Sequence, residues 1–283
     1  LVPVLSEKLG VEVQINNVPG AASMRGTSQA LRADPDGYTM LAFNPPSSPI
    51  SYLVNQPDFD LTRVRGVAGY AIAPAVATLN PGAADENGIE SYGDLIAAYQ
   101  DGTLSAFAGQ SIGSYFQVMA LIMKSRHGLD FDSENYIAYD GTGPAVEAVA
   151  SGEVPAGIGI DTATLSFTEA DRLRVPAILT SEGSAAYPDK PTVTDLGYEN
   201  MDSVGQVTRC YWMPPETPQE RIDTMSSAIE EMINDDEVQQ YAEEAGQQVF
   251  YRGPDYADEL LDANLNEIPE EVDLESIREE VNN

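Results

Sequence analysis

Hydrophobic positions along this chain follow two rhythms that alternate almost from end to end. Leu1-Val2-Pro3-Val4-Leu5-Ser6-Glu7-Lys8-Leu9 spaces its apolar residues as a helix does, and Gly10 stops it. Val11-Glu12-Val13-Gln14-Ile15 then alternates apolar and polar residues, which predicts a strand. The small-residue turn Pro19-Gly20-Ala21-Ala22-Ser23 leads into a helix over Met24–Ala33. Asp34-Pro35-Asp36-Gly37 is a turn that opens a strand over Tyr38–Phe43. Ser91 and Asp94 have the capping-box spacing and begin a helix that runs through Leu95–Tyr99. A strand over Leu104–Ala108 precedes a helix over Ser114–His127. Short strands follow at Ile137–Tyr139, Ala156–Ile160 and Val175–Leu179, each with a turn and a helical pattern behind it. Pro218–Ile233 and Glu237–Ala245 are amphipathic helices, and Val249–Tyr251 is a last strand before an acidic helical tail. This alternation predicts an α/β protein whose parallel or mixed sheet is covered by helices.

The most apolar run, Gly66–Leu79, is shorter than the ~18 residues a membrane helix needs, and Pro74 interrupts it. No repeat or low-complexity linker divides the chain. No positively charged start precedes an apolar core, so no signal segment is read here. The chain begins on a helix where an α/β protein would begin on a strand, so a fragment of a longer precursor is expected.

The 283 residues leave room for two domains of ordinary size. Composition narrows the partners more than the fold. There are 46 acidic residues against 14 basic ones, a formal charge of −32, and 42% of the chain is hydrophobic. That apolar share excludes disorder, and the charge excludes nucleic acid and anionic membranes as partners. One Cys permits no internal disulfide, and one His excludes zinc sites built from several His and Cys. No metal and no cofactor is expected. The acids are spread along the whole chain and lysine is scarce, which reads as a solvated surface suited to high salt, where exposed charges are screened. The alternative is that blocks such as Glu230-Glu231 and Asp235-Asp236-Glu237 bind a basic partner or divalent cations.

Gly109-Gln110-Ser111-Ile112-Gly113 matches the G-x-S-x-G elbow of serine hydrolases, between a strand and a helix as that motif requires. The motif also needs an acid and then a His downstream. The sole His is His127, and residues 112–126 contain no Asp or Glu, so the triad cannot be assembled in that order. His127, beside Lys124 and Arg126, is placed to favour a helix C-terminus. Cys210 reads as a small buried residue. Among so many acids no catalytic dyad stands out. Three small-residue turns precede helices instead: Pro19–Ser23, Gly109–Ser114 and Gly141–Pro144. Each exposes backbone N–H groups able to receive a carboxylate without a basic side chain.

Asn17-Val18-Pro19-Gly20-Ala21 followed by Ala33-Asp34-Pro35-Asp36-Gly37-Tyr38-Thr39-Met40-Leu41 resembles the N-R-P-G-A-G-G … A-x-P-D-G-Y-T-L-L signature of the tripartite tricarboxylate transporter receptors, also called Bug receptors. Gly109–Ser114 is similar to the family's G-x-G-S turn, and Tyr139-Asp140-Gly141-Thr142-Gly143-Pro144-Ala145 to its Y-K-G-x-x-P-A segment. Tyr187-Pro188-Asp189-Lys190-Pro191-Thr192-Val193 parallels L-P-D-V-P-T-V, and Pro214-Pro215-Glu216-Thr217-Pro218 parallels A-P-A-G-T-P. The likeness runs in order from residue 1 to about 260.

The resemblance implies a two-lobed, type II periplasmic-binding-protein fold, with each lobe a mixed sheet flanked by helices and a ligand cleft between them. It implies lobe 1 from residues 1–104 plus 215–283 and lobe 2 from 105–214. The function it implies is an exported, extracytoplasmic receptor (periplasmic or cell-surface) that is not an enzyme. Such a receptor captures a small organic carboxylate, a di- or tricarboxylate or a related acid, and delivers it to the membrane subunits of a tripartite tricarboxylate transporter. By position, Gly109, Gln110, Ser111, Gly113 and Ser114 supply ligand contacts. Gly141 and Thr142 follow on the next turn, with Asp161 and Thr162 at a strand end. Asn44, Ser47 and Ser48, in the loop with Pro45 and Pro46, face them from the other lobe. A monomer is expected, with association through an exposed sheet edge as the other possibility. Departures from the pattern are Ala22 and Ser23 in place of two glycines, Asp140 in place of a lysine, and a first strand and loop that would precede Leu1. A ligand-sensing receptor for a signalling partner stays open, as does a serine hydrolase using Ser111.

Overall fold

The computed structural model describes residues 1–18 and 23–282. The turn expected at Pro19–Ser23 therefore lies outside the described residues except for Ser23. In chain order the first elements are α1 (Val2–Leu9), α2 (Met24–Leu31), β1 (Leu41–Phe43), α3 (Ser47–Asn55) and β2 (Arg65–Leu79). Next come α4 (Pro81–Asn87), α5 (Tyr92–Gln100), β3 (Phe107–Gln110), α6 (Tyr115–His127), β4 (Tyr136–Tyr139), α7 (Thr142–Ser151), β5 (Ala156–Ile160) and α8 (Asp161–Glu169). The chain closes with α9 (Asp202–Gly205), β6 (Gln206–Met213), α10 (Gln219–Ile233), α11 (Asp236–Glu244), β7 (Gln248–Arg252), α12 (Pro254–Glu271) and α13 (Leu274–Asn282).

Local chemistry explains the helix ends. Gly10 ends α1 in the left-handed conformation, and its N–H returns to the Glu7 carbonyl. The capping box forms as the spacing predicts: the Ser91 hydroxyl accepts from the Asp94 N–H, and the Asp94 carboxylate accepts from the Ser91 N–H.

Two compact units share the chain. The first comprises Leu1–Ile72 and Val207–Ile268. There β1 pairs antiparallel with β6, Phe43 lying opposite Cys210. Strand β6 neighbours β2, whose first half also pairs with β7, Ala71 opposite Val249. Side chains of β6 alternate between faces, so Thr208, Cys210 and Trp212 are buried while Arg209 and Tyr211 lie on the other side, partly covered. Trp212, fully buried, stacks on Phe43 with ring centroids 4.4 Å apart, and Leu61, Val64 and Leu261 complete that core. A second cluster joins Leu5 to Val67, Tyr70, Ile222, Ile229 and Met232.

The second unit comprises Ala73–Gln206 and Pro269–Asn283. Strand β3 runs parallel to both β4 and β5, with Gln110 opposite Tyr139 and Phe107 opposite Ala156. The second half of β2 lies antiparallel to β5, Val76 opposite Gly159. Helix α6 is buried on nearly every side, through Phe116, Val118, Met119, Ile122 and Met123, as a helix apolar all round must be.

Several expectations change. Val11–Ile15 forms no ladder; Val13 packs into the first unit, but Val11 and Ile15 are exposed. Alternation supplies two faces but not a neighbouring strand, and among the described residues none pairs with this segment. Val175–Leu179 makes isolated bridges only, through Ile178 to Val76 and Thr192. Gly66–Leu79 proves to be most of β2. The compact units divide at Ile72/Ala73 and Gln206/Val207. The reason is β2 itself: its two halves pair with strands of different units, and residues 73–104 follow the half that pairs with β5. Among the described residues no helix is long and apolar enough to cross a membrane.

Candidate functional site

Because β3, β4 and β5 are parallel, their C-terminal ends share one edge of the second unit's sheet. Ligands of open α/β sheets gather at such an edge. Three helices begin there, and they differ in how far their N-termini are already satisfied.

At α6, the Ser114 hydroxyl accepts from the Gln117 N–H at 3.4 Å, and the Gln117 amide oxygen accepts from the Gly113 N–H at 2.6 Å. Gly113 has φ 76°, in the left-handed region that favours glycine. Gly109 is required by a close approach: a Cβ there would collide with the Tyr136 ring, whose hydroxyl donates to the Gln110 carbonyl. Gln110 and Thr142 are drawn together by a hydrogen bond of 2.6 Å from Nε2 to Oγ1, which ties the first turn to the start of α7. Ser111 and Ile112 are exposed at the tip.

Helix α7 has no side-chain cap. Its N-cap, Gly141, takes φ 112°, and a Cβ at Gly143 would meet open space. Among the described residues nothing accepts from the Thr142 and Gly143 N–H groups, so they remain available to an outside acceptor. Helix α8 differs. Asp161 is buried, and its carboxylate accepts from the Thr162 N–H and from the Ser184 hydroxyl, each at 2.6 Å. The chain's own acid fills that helix start. Asp140 is exposed beside the Gly141 turn.

In the first unit, Asn44, Ser47 and Ser48 form a closed turn after β1. The Ser48 N–H donates to the Asn44 carbonyl, and the Asn44 N–H donates to the Ser48 hydroxyl at 3.2 Å. Ser48 is buried, whereas Asn44 and Ser47 are partly accessible. Motif reading passes over Arg209, which lies one residue beyond the last ladder pair, Phe43–Cys210, on β6, as Asn44 does on β1. The Thr208 N–H donating to the Pro45 carbonyl at 2.8 Å fixes that register. Its one sequence signal is a lone cation in the apolar stretch Val207–Trp212.

The nucleophile motif finds no base. His127 closes α6, some 20 Å along its 13 residues from the Ser111 end. Nε2 of His127 lies 2.6 Å from the Glu199 carbonyl and so carries the proton, which leaves Nδ1 to accept from the Tyr92 hydroxyl at 2.7 Å. Burial holds its pKa below the ordinary value, more strongly than the Glu199 carbonyl raises it. The sign is therefore set: the neutral form is the native one. Stability should be intact above the unfolded value near 6.5 and decline as pH falls below it. Chemical unfolding at pH 8 and pH 5.5 checks this, and His127→Gln should shrink the difference between the two. Cys210 is equally unreactive, since burial pushes its thiol up to about 12.

Two hollows lie away from these turns. One of about 700 Å³, in the first unit, is lined by Lys8, Glu230, Glu231 and Asp235. One of about 310 Å³, in the second, is lined by Tyr92, Arg174, Pro176 and Lys190. Among the described residues no cluster of His, Cys, Asp and Glu is arranged to hold a metal ion.

Comparison with known proteins follows the same segments. The sequence pattern described as "Tripartite tricarboxylate transporter family receptor" matches residues 2–267. Protein BugT of Bordetella pertussis is 31% identical over 199 residues, which cover 69% of this chain and 59% of BugT. The chain thus aligns with less than two thirds of that relative's length. Among solved structures, Rpa4515 of R. palustris with adipate has a TM-score of 0.81 at 20% identity, covering 98% of this chain and 90% of that one. MatC from Rhodopseudomonas palustris with bound malate has a TM-score of 0.80 at 17% identity, covering 96% and 92%.

Proposed function

The chain belongs to the tripartite tricarboxylate transporter receptor family, and we propose that it captures a small organic carboxylate outside the cytoplasm and delivers it to the membrane subunits of such a transporter. Its fold is shared with periplasmic binding proteins of that family. The malate and adipate bound by the two solved relatives support a ligand class of short acids with two carboxyl groups.

The observation that carries this reading is the uncapped start of α7. Free N–H groups at a helix N-terminus, with the positive end of the helix dipole behind them, form a ready anion site. Here Thr142 and Gly143 present those groups beside Gln110 and the exposed Ser111 tip. An acidic chain can receive an acid there because backbone dipoles, not basic side chains, do the holding. Gly109, Gly113, Ser114, Gly141 and Thr162 belong to the proposed second-unit site as backbone or hydroxyl contacts, and Asn44 and Ser47 are proposed as contacts of the first unit. Ser48 and Asp161 hold its turns in shape. Capture without chemistry is favoured over ester hydrolysis because the single His stands at the far end of α6.

Gly143→Asp tests the site without threatening the fold. Open space surrounds the position, and an acid in a helix's first turn is worth about 0.3–1 kcal/mol of stability. The new carboxylate would occupy the N–H groups itself. Its melting temperature should equal or exceed that of the parent, while affinity for malate or adipate by calorimetry should fall at least roughly tenfold, about 1.4 kcal/mol. Unchanged affinity would remove the ligand from α7. A parent protein that binds no mono-, di- or tricarboxylate would end the carboxylate reading altogether.

A further inference from the structure

We propose that Arg209 is a carboxylate-binding residue of the first unit, on the same face of β6 as Tyr211, whose ring stacks on Tyr70. The inference rests on the reading of the chain as a carboxylate receptor and adds a side-chain cation to it.

Most of the 14 basic residues of this chain fall into two groups. Lys8 pairs with Asp235, Arg126 with Glu199, Arg172 with Glu147 and Arg174 with Asp85. Lys124 and Arg63 also have carboxylate partners, and Arg65 donates to the Thr217 carbonyl. Arg25, Arg32, Lys190 and Arg221 are exposed to water. Arg209 fits neither group. It is partly buried, and among the described residues its guanidinium has no carboxylate, carbonyl or amide acceptor. Withdrawing a guanidinium from water is costly unless an anion meets it. With 46 acids in the chain a partner would be easy to place, yet among the described residues none stands there.

What does stand there suits a visiting anion. Tyr70 and Tyr211 stack at 4.4 Å, and both feel the Arg209 charge. Ala42, directly opposite Tyr211 on β1, is exposed, so this strip of the sheet face is reachable. Asn44, the first residue of the proposed first-unit turn, follows Phe43, whose ladder partner Cys210 is the neighbour of Arg209. Arginine's planar fork takes a carboxylate through two parallel N–H bonds, and tyrosine hydroxyls complete such a site as neutral donors.

The test uses the full chain, with malate and adipate as probes and the monoamide of adipate as control. Arg209→Gln should lower affinity for both diacids by roughly tenfold or more, the scale of a lost charge-assisted bond. Its unliganded melting temperature should not fall, because the change removes an unpaired charge. A purely structural role would lower it instead. The parent should discriminate diacid from monoamide more strongly than the Gln variant does. Arg209→Lys, which keeps the charge and loses the fork, should lie between the two, and it decides the matter if the Gln variant fails to fold. Parent-like diacid affinity in the folded variants would overturn the role of Arg209 while leaving the receptor reading intact. A parent that binds no acid overturns both.

Discussion

Replacing Trp212 by alanine should destabilise the first unit by about 3–5 kcal/mol, the range for removing a large aromatic side chain from a packed core. Trp212 is fully buried, stacks on Phe43 within 3° of parallel, and donates its indole N–H to the Phe43 carbonyl at 3.3 Å. The truncation therefore opens a cavity, ends an aromatic pair and leaves a β1 carbonyl without that donor. Phe43 immediately precedes Asn44, so the damage reaches the first-unit turn as well as the core. Urea unfolding followed by near-ultraviolet circular dichroism measures it. A loss under about 1 kcal/mol would mean that the strands collapse around the gap, which the flat stack of rings argues against.

Salt should have a comparably large effect, in the stabilising direction. With 46 acids and 14 bases, most carboxylates cannot find a cation in the chain, and the ion pairs on the surface are each partly exposed. The remaining acids repel one another at low ionic strength. Raising KCl from about 0.1 M to about 1 M shortens the Debye length from about 10 Å to about 3 Å and relieves that repulsion. The melting temperature should rise, by about 2–4 °C for each kcal/mol relieved in a chain of this order. A melting temperature indifferent to KCl would mean that the acids are matched to a partner, which would end the high-salt reading of the composition.

Features made by neighbours along the chain are legible from residue order alone. The Gly10 stop, the Ser91–Asp94 capping box and the Ser114 start of α6 are short-range arrangements, and each forms where the pattern places it. Features made by distant residues are not legible in that way. Strand β2 is buried along nearly its whole length, so it shows no alternation to mark it as a strand. Only its pairing with β5 reveals where one unit gives way to the other. Val11–Ile15 shows the converse, a strand-like pattern with no strand beside it among the described residues. The site divides in the same way. The Gly109–Ser114 and Gly141–Thr142 turns stand out because a strand, small residues and a helix follow one another. Asp161 is expected at its strand end, yet the inward turn of its carboxylate depends on Ser184, 23 residues later. Arg209 is one arginine among eleven in the sequence, and its isolation among the described residues becomes visible only once the described acids have positions.

The central claim is that backbone N–H groups at the start of α7, beside the Gly109–Ser114 turn, receive a ligand carboxylate. Amide chemical shifts, followed by nuclear magnetic resonance while malate or adipate is titrated in molar KCl, test this most directly. Saturable shifts at Thr142 and Gly143, extending to Ile112 and Ser114 and absent in Gly143→Asp, are the predicted result. Saturable binding that leaves those amides unmoved and shifts residues elsewhere in the chain would contradict it.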